Sequence, residues 1–370
     1  MTPDFYFLRF QETEILFKIF NKYEINARFV GGCVRDAIFG EKTDDFDIAV
    51  NANISKIIDI LTKEKVKYVP IGAKYGSILA LINNRKFEIT SLRKDEKCFG
   101  RDCIQSNISS FEEDAKRRDF TINSLYLSQS GELFDYFCGV NDLRKKNIKF
   151  IGNPEERIKE DYLRILRYYR FCAKYGDLKN EYSEIIKKIS SSIKTLSIER
   201  IQNELFKIIE SKHAIEILIN MKNSHIFSNI FDEFQPNLQS KTMEYLSLEG
   251  KLYLLFSFDD LLKTFRLTKQ QKLRIKEYKI YENESKEFCF YKKGEEFFRG
   301  MEIIKCSKLN EEIDLSILDK KFIKFPIKFQ DLRCEIKEAA RKIKACEKWW
   351  VNNNCEPNAK NCIKYILNLQ

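Results

Sequence analysis

The spacing of apolar residues differs between the two parts of the chain. Up to about residue 150, short apolar runs are separated by turns rich in glycine and asparagine, which is typical of strands joined by tight connections. From Pro154 onward, apolar residues recur every three or four positions over several turns, which is typical of amphipathic helices. The pattern therefore predicts an α+β fold, with a small mixed sheet and its helices first and an all-α remainder.

Several elements can be assigned from this spacing. We expect helices over residues 10–23, 33–39, 54–65 and 155–175, and strands over residues 27–30, 46–50, 77–82 and 86–92. Asn83 and Asn84 lie between the last two strands and supply the turn chemistry expected of a hairpin. Residues 93–113 are polar, charged and aperiodic, so we expect a long mobile loop there.

Composition narrows the class of protein. The 370 residues include 65 Lys and Arg against 55 Asp and Glu, a net charge of +10, which fits a polyanionic partner, with simple solubility of the chain as the alternative. The odd number of cysteines, 11, contains no C-x-x-C pair, which fits a reduced cytoplasmic chain. Only two histidines are present, His213 and His225, which disfavours a zinc centre. The first 20 residues lack a signal-peptide core and no apolar stretch is long enough to span a membrane, so we expect a soluble cytoplasmic protein.

A glycine turn and an acidic strand follow one another in residues 29–50. In "FVGGCVRDAIFG", the turn leads into a helix whose N-terminus can hold a phosphate, although a simple strand-to-helix turn has the same sequence pattern. Asp45 and Asp47 are two apart, so both carboxylates point to one face of the strand and repel each other unless a cation lies between them. Oxygen ligands beside a phosphate site suit Mg²⁺, whereas a solvated strand edge is the alternative. Glu88 on the neighbouring hairpin is a candidate third carboxylate or a surface acid.

Two further motifs carry arginines. In "RRDFTINSL", residues 117–125, Arg118 has a planar fork that suits phosphate or sugar oxygens, and Asp119 and Asn123 follow it; a solvated helix start is the alternative. In "EDYLRILRYYRF", residues 160–171, an acid and an arginine three residues apart on one helix complement the Watson-Crick edge of cytosine or adenine. Ordinary ion pairing along a helix is the alternative for this second motif.

Taken together and in this order, the three motifs resemble the bacterial class II tRNA nucleotidyltransferases, or CCA-adding enzymes, of the polymerase-beta-like nucleotidyltransferase superfamily. The resemblance runs from about residue 29 to 210 and includes "IGAKYGSILALI", "FEITSLR" and "SIERIQNELFKII". It implies a head with a nucleotidyltransferase palm over residues 1–145 and a neck with nucleotide-selecting helices over 146–212. It further implies a helical body over 213–300 and a helical, tRNA-binding tail over 301–370.

The resemblance also implies roles for individual residues. Asp45 and Asp47 would bind catalytic Mg²⁺. From its place on the neighbouring strand, and not from the resemblance, we add Glu88 as a candidate catalytic carboxylate. Asp161 and Arg164 would select CTP and ATP, and Glu160 would orient Arg164. The full set of predicted nucleotide-binding residues is Gly31, Gly32, Arg35, Arg118, Asp119, Asn123, Glu160, Asp161, Arg164, Arg167 and Arg170.

The implied activity is template-independent addition of CCA to the 3′ end of tRNA, with the tRNA acceptor arm, CTP and ATP as partners. Three alternatives stay open at this stage, together with the oligomeric state. A bacterial poly(A) polymerase shares the palm motifs, and a partial enzyme would add only CC or only the last A. A non-catalytic RNA-binding protein is disfavoured because both Asp45 and Asp47 are present.

Overall fold

The structure is a computed structural model of the chain. It describes residues 3–72, 76–99, 102–108, 110–175, 178, 181–231, 234, 244–284, 286–309, 311, 324–332, 335–353 and 355–369. The chain forms two compact units, Met1–Leu196 and Ser197–Gln370. The boundary between them falls inside the segment 146–212 that we assigned to a neck, and the division into four domains stays a prediction.

The first unit is built on a mixed sheet. Among the described residues its strands are β1 (Ala27–Val30), β2 (Asp47–Val50), β3 (Lys67–Gly72), β4 (Ser77–Ile82), β5 (Arg85–Ser91), β6 (Arg93–Phe99), β7 (Asp102–Asn107), β8 (Leu125–Leu127) and β9 (Leu133–Asp135). Seven of these strands pair in the order β3-β4-β5-β2-β1-β8-β9, and β6 pairs with β7. β2 and β5 are parallel, whereas the other neighbouring strands are antiparallel. The predicted mixed sheet is therefore confirmed.

Helices surround this sheet and continue beyond it. In the described residues of the first unit they are α1 (Gln11–Lys22), α2 (Gly32–Phe39), α3 (Ile54–Lys63), α4 (Phe111–Lys116), α5 (Gly139–Arg144), α6 (Pro154–Glu160), α7 (Leu163–Tyr175) and α8 (Ser183–Ile189). Short 3-10 turns span Tyr6–Arg9, Thr121–Asn123 and Ser190–Thr195. The turn Thr121–Asn123 carries the predicted site residue Asn123.

The two faces of the sheet have different neighbours. Ile48 and Val50 of β2 point into a large core that also contains side chains from α1, α2 and α3. Ala49, the residue between them, belongs to a smaller cluster on the other face with Phe111 and Tyr126. Because strand side chains alternate with period two, Asp47 lies on the face of the smaller cluster. The large core thus supports the sheet from one side and leaves the acidic residues on the other.

The second unit is helical in its described residues. Its helices are α9 (Ile198–Ile209), α10 (Ala214–Asn223), α11 (Leu248–Leu255), α12 (Phe258–Lys263), α13 (Lys269–Tyr281), α14 (Lys286–Lys293), α15 (Glu295–Leu309), α16 (Ile336–Asn352) and α17 (Ala359–Leu367). Trp350, Cys346 and Cys362 form part of a separate core between α16 and α17. This unit confirms the predicted helical remainder. No helix in the part of the chain that the structure describes has the length and apolar character needed to cross a membrane.

The irregular loop predicted over residues 93–113 is wrong for the described residues 93–99, 102–108 and 110–113, and residues 100, 101 and 109 lie outside the described part of the chain. β6 and β7 pair as an antiparallel hairpin with a register shift between Asp95 and Lys97, and α4 begins at Phe111. Apolar and polar residues do not alternate here, because backbone pairing in a separate two-stranded ribbon requires no continuous apolar face. β3 was missed for a related reason, since Pro70 and flanking lysine residues argue against a strand.

The single helix predicted over residues 155–175 is also wrong in one respect. α6 ends at Glu160, and Asp161 has an extended backbone with φ −154° and ψ 107°. α7 then begins at Leu163. Apolar spacing continues through the break, so periodicity alone could not locate it. As a result, Asp161 does not lie on one continuous helix with Glu160 and Arg164.

Candidate active site

Three carboxylates lie near the start of β2: Asp47 on β2, Glu88 on the neighbouring β5, and Asp45 just before β2. The parallel pairing places Asp47 of β2 directly opposite Glu88 of β5. The Glu88 N–H donates to the Phe46 carbonyl at 2.9 Å, which fixes this register. Asp45, which is exposed, precedes β2 by two residues. The structure therefore brings together the three acids that the sequence singled out.

The electrostatics of these carboxylates reflect their crowding. Burial raises the pKa of Asp47 to about 7, and the charges of Asp45 and Glu88 add to that rise. Burial also raises the pKa of Glu88, with a further contribution from Asp45. Arg118 and Arg35 act on Asp47 in the opposite direction. A cation at this place would relieve the repulsion between the carboxylates.

The donor set fits a hard divalent cation. Carboxylate oxygens are the ligands that Mg²⁺ prefers, and Mg²⁺ commonly takes one or two of them together with substrate phosphates. Within the described residues, no three His, Cys, Asp or Glu side chains converge as a ready-made metal cluster. The predicted site uses two protein ligands, Asp45 and Asp47, so substrate and water oxygens would complete the coordination.

The glycine turn brings backbone and arginine side chains close together. Gly31 has φ +70° and ψ −118°, a conformation that glycine adopts readily and L-residues rarely do. A Cβ there would lie 3.5 Å from Arg118 Nη1. The Gly31 N–H donates to the Leu125 carbonyl at 3.1 Å, so it is already used within the sheet. Gly32 begins α2, and Arg35 on the same helix is buried and donates from Nη1 to Asn123 Oδ1.

Arg118 is held by a buried acid and a tyrosine. Its Nη2 donates to Asp114 Oδ2 at 3.2 Å, and its Nε donates to the Tyr126 hydroxyl at 3.0 Å. Asp114, with only 1% of its side chain exposed, also accepts from Arg117 Nε at 2.8 Å and from the Tyr126 hydroxyl at 2.7 Å. Although burial opposes it, Arg118 and Arg117 hold the pKa of Asp114 down at about 2. Arg118 is thus fixed in place before any ligand binds.

Asp119 and Asn123 connect two of the arginines. Asp119 accepts from Arg167 Nε at 2.7 Å and from Asn123 Nδ2 at 2.9 Å. Although burial opposes it, the charge of Arg167 and the hydrogen bond from Asn123 lower the pKa of Asp119 far below its usual range. Asn123 in turn accepts from Arg35. These contacts make Asp119 and Asn123 a rigid link between Arg35 on α2 and Arg167 on α7.

The third motif divides at the break between α6 and α7. Arg164 Nη1 donates to Glu160 Oε2 at 2.5 Å, so the predicted contact between these two residues is present. Asp161 Oδ1 accepts from the Leu163 N–H at 3.1 Å at the start of α7. On α7, the guanidinium carbon of Arg170 lies 4.2 Å from the centre of the Phe171 ring. Assigning these residues to nucleotide selection stays a prediction.

Four residues with a part in this network were missed by sequence reasoning. They are Asp114, Tyr126, Arg157 and Phe171. Phe171 is buried, and Arg35 and Arg167 have guanidinium carbons 4.9 Å and 5.8 Å from its ring centre, in addition to Arg170. Asp114 lies three and four residues before Arg117 and Arg118, a helical spacing that could have indicated it.

Comparison with known proteins identifies the class to which this fold and site belong. Residues 27–149 match the family model described as the poly A polymerase head domain, and residues 177–238 match the probable RNA and SrmB-binding site of polymerase A. The CCA-adding enzyme of Bacillus velezensis is 30% identical over 322 residues, which cover 82% of this chain and 80% of that protein. The chain therefore belongs to the CCA-adding enzymes, a family of tRNA nucleotidyltransferases.

Other relatives agree with this placement. The mitochondrial CCA tRNA nucleotidyltransferase 1 of Mus musculus is 34% identical over 254 residues, 67% of this chain. The match spans 58% of the length of the mouse protein and 51% of the length of the human one. The crystal structure of the Bacillus stearothermophilus CCA-adding enzyme in complex with CTP has a TM-score of 0.73, covers 97% of this chain and 96% of its own, and is 19% identical, which shows a shared fold. Nucleotidyltransferases of this family generally use a divalent metal ion.

Proposed function

We propose that this chain adds cytidine, cytidine and adenosine in turn to the 3′ end of tRNA, using CTP and ATP and no nucleic-acid template. The observation that carries the proposal is the set of carboxylates on β2 and β5 beside Arg118 and Arg35, which both act electrostatically on Asp47. This arrangement places negative charge suited to a metal next to positive charge suited to a triphosphate. The names of the relatives support tRNA as the acceptor.

Asp45 and Asp47 are the residues that would hold Mg²⁺, with Glu88 close to them. Mg²⁺ at this position supplies charge neutralisation for the triphosphate and lowers the pKa of a hydroxyl bound to it. The chain itself contributes rigid orientation of the two carboxylates, because Phe46 between them is buried in the large core. The backbone register with β5 fixes the position of Glu88 in the same way.

The arginines would orient the triphosphate and stabilise charge on it. Arg118 is fixed by Asp114 and Tyr126, and Arg35 is fixed by Asn123, so neither side chain has to reorganise when the nucleotide binds. Preorganised donors of this kind stabilise developing charge more effectively than mobile ones. The +10 net charge also favours the phosphate backbone of a tRNA acceptor arm, which is recognised mainly by shape and charge.

Asp161 and Arg164 would distinguish the bases. A carboxylate accepts from the exocyclic amine of cytosine or adenine, and a guanidinium donates to the adjacent ring nitrogen. Uracil and guanine present a carbonyl where the amine is needed, which costs about 1–3 kcal/mol. Glu160 would support this selection by holding Arg164. The cytoplasmic location expected from the sequence is part of the proposal, since CTP, ATP and tRNA are intracellular substrates.

The length of the product tests the proposal. The protein is incubated with tRNA lacking its last three nucleotides, with CTP, ATP, UTP and GTP alone and in mixtures, and the products are sized at single-nucleotide resolution. We expect two additions with CTP alone and three with CTP and ATP together. Growth beyond three residues with ATP would instead support a poly(A) polymerase, the alternative that the head-domain match also allows. Products that stop after CC, or that form only on tRNA ending in CC, would indicate a partial enzyme.

A further inference from the structure

Arg157 lies between the two arginine motifs without belonging to either. It is in α6, whose start is fixed by Asn153, since the Asn153 side chain accepts from the N–H groups of Glu155 and Glu156 at 3.0 and 3.2 Å. Its own side chain is only 13% exposed. Its position inside the unit therefore needs an explanation other than solvation of a charged group.

One edge of the Arg157 guanidinium binds the backbone of the second motif, RRDFTINSL. Nη2 donates to the carbonyl oxygens of Arg117 at 2.5 Å and Arg118 at 2.8 Å. Arg117 is the C-cap of α4 and Arg118 follows it, so both carbonyls lie just beyond the hydrogen-bonded turns of that helix. A guanidinium can satisfy two neighbouring carbonyls at a buried helix end because its donors diverge in one rigid plane.

The other contacts of Arg157 lead to the third motif. Its Nη1 donates to Glu160 Oε2, the same oxygen that accepts from Arg164 Nη1. Its main-chain carbonyl also accepts from Arg164 Nη1, at 2.7 Å. Arg157 therefore reaches Arg164 by two routes, one through a shared carboxylate and one through its own backbone.

Taken together, these contacts connect the segment that carries Arg118 with the residue pair that holds Arg164. We propose that Arg157 is a positioning residue that fixes Arg164 relative to Arg118, so that the base and the triphosphate of one nucleotide are held at a constant separation. This inference rests on the proposed function of the site. Arg157 would touch neither the nucleotide nor the metal, and its effect on selectivity would pass entirely through Arg164.

The electrostatic environment is consistent with a structural link of this kind. Burial lowers the pKa of Arg157, and the neighbouring charge of Arg164 lowers it further, while Glu160 acts in the opposite direction. Two guanidiniums thus share one carboxylate at close range. Removing Arg157 would leave Glu160 to Arg164 alone and would leave two helix-end carbonyls without their donor.

The test compares four variants of the full chain: Arg157→Gln, Arg157→Lys, Arg164→Ala and the double variant Arg157→Gln/Arg164→Ala. The measured quantity is the ratio of kcat/KM for CTP to that for UTP, with tRNA lacking CCA as acceptor. Lys159→Gln is the matched control. It removes the same positive charge from the same helix, but at a side chain that is 53% exposed. Circular dichroism and thermal unfolding establish that each variant is folded.

We expect Arg157→Gln to lower the CTP-to-UTP ratio of kcat/KM about tenfold or more. In the double variant, where Arg164 is already alanine, the same substitution should lower this ratio little further. Arg157→Lys should recover only part of the ratio, because an ammonium lacks the planar fork; it also serves as the informative variant if glutamine prevents folding. A ratio within twofold of wild type in the folded Arg157 variants would overturn the proposal, as would a full, additive loss in the double variant. If the wild-type chain adds no nucleotide to tRNA, the proposed function itself is refuted. The wild-type assay therefore distinguishes failure of the proposed function from failure of the role proposed for Arg157.

Discussion

Substituting Gly139 with alanine should misplace the turn that carries Asn123. A Cβ at Gly139 would lie 2.2 Å from the Thr121 carbonyl oxygen and 2.8 Å from its carbon. The atoms it meets are backbone and cannot rotate away. That carbonyl also accepts from the Ser124 hydroxyl at 2.8 Å, so its displacement breaks a buried hydrogen bond. Asn123, two residues further on, would lose its alignment with Arg35 and Asp119.

The size of the activity loss can be worked from the overlap between the added Cβ and the Thr121 carbonyl. The two backbones have to separate by about 1 Å before ordinary contact is restored, and forcing extra volume into a packed core costs about 1–3 kcal/mol. A displacement of about 1 Å at residues that position a substrate can lower the rate roughly 100-fold. We therefore expect Gly139→Ala to lose about 100-fold in kcat/KM for CTP while remaining folded at 25 °C.

Gly40→Ala is the matched control. Gly40 ends α2 with φ +90°, and a Cβ there meets nothing within 4 Å. Alanine in this conformation costs about 1–2 kcal/mol, a stability loss similar to that expected at Gly139, without moving the turn. The assay combines urea unfolding with steady-state CTP incorporation into tRNA lacking CCA. Equal activity losses in the two variants would refute the reasoning, since the effect would then follow stability and not geometry.

Two other predictions concern the same unit. The carboxylate of Asp114 has a folded-state pKa of about 2 against an ordinary 3.8. It therefore contributes about 2 kcal/mol to the free energy of unfolding at neutral pH, and this contribution is lost as the pH falls from about 4 to 2. The difference in urea stability between wild type and Asp114→Asn should narrow over that range, and a constant difference would contradict this prediction. Asp161→Ala should weaken discrimination against UTP and GTP, whereas Arg164→Ala should mainly weaken CTP and ATP binding. Unchanged nucleotide selection in both variants would leave Arg164 with its ion pair to Glu160 and Asp161 with its hydrogen bond at the start of α7 as their only roles.

The sequence predicted those parts of the site that depend on local spacing. Asp45 and Asp47 could be placed on one face because strand side chains alternate, and the burial of Phe46 between them agrees with that alternation. The turn at Gly31 and the helix after it followed from the order of a short apolar run and two glycines. Glu88 was suggested as a neighbour of Asp47, although its direct pairing depends on a parallel register that no local pattern specifies.

The parts that were missed depend on contacts distant in sequence. Arg157 binds carbonyls about 40 residues earlier in the chain, and nothing in the spacing of α6 indicates those partners. The break at Asp161 was missed because a polar residue at a helix interruption leaves the apolar period intact on both sides. Phe171 has the ordinary position of a core aromatic in an amphipathic helix, so its contacts with three arginines could be found only in the folded chain.

Asp45 and Asp47 are proposed as the catalytic centre, and single-turnover kinetics of the first C addition tests this assignment most directly. Asp45→Ala and Asp47→Ala are compared with wild type on tRNA lacking CCA, and tRNA affinity is measured in parallel. We predict that both variants lose addition while tRNA binding stays nearly unchanged, because these carboxylates hold metal and not RNA. Retention of about a tenth or more of the wild-type rate in either variant would contradict the assignment, because loss of a catalytic metal ligand removes far more of the rate than that.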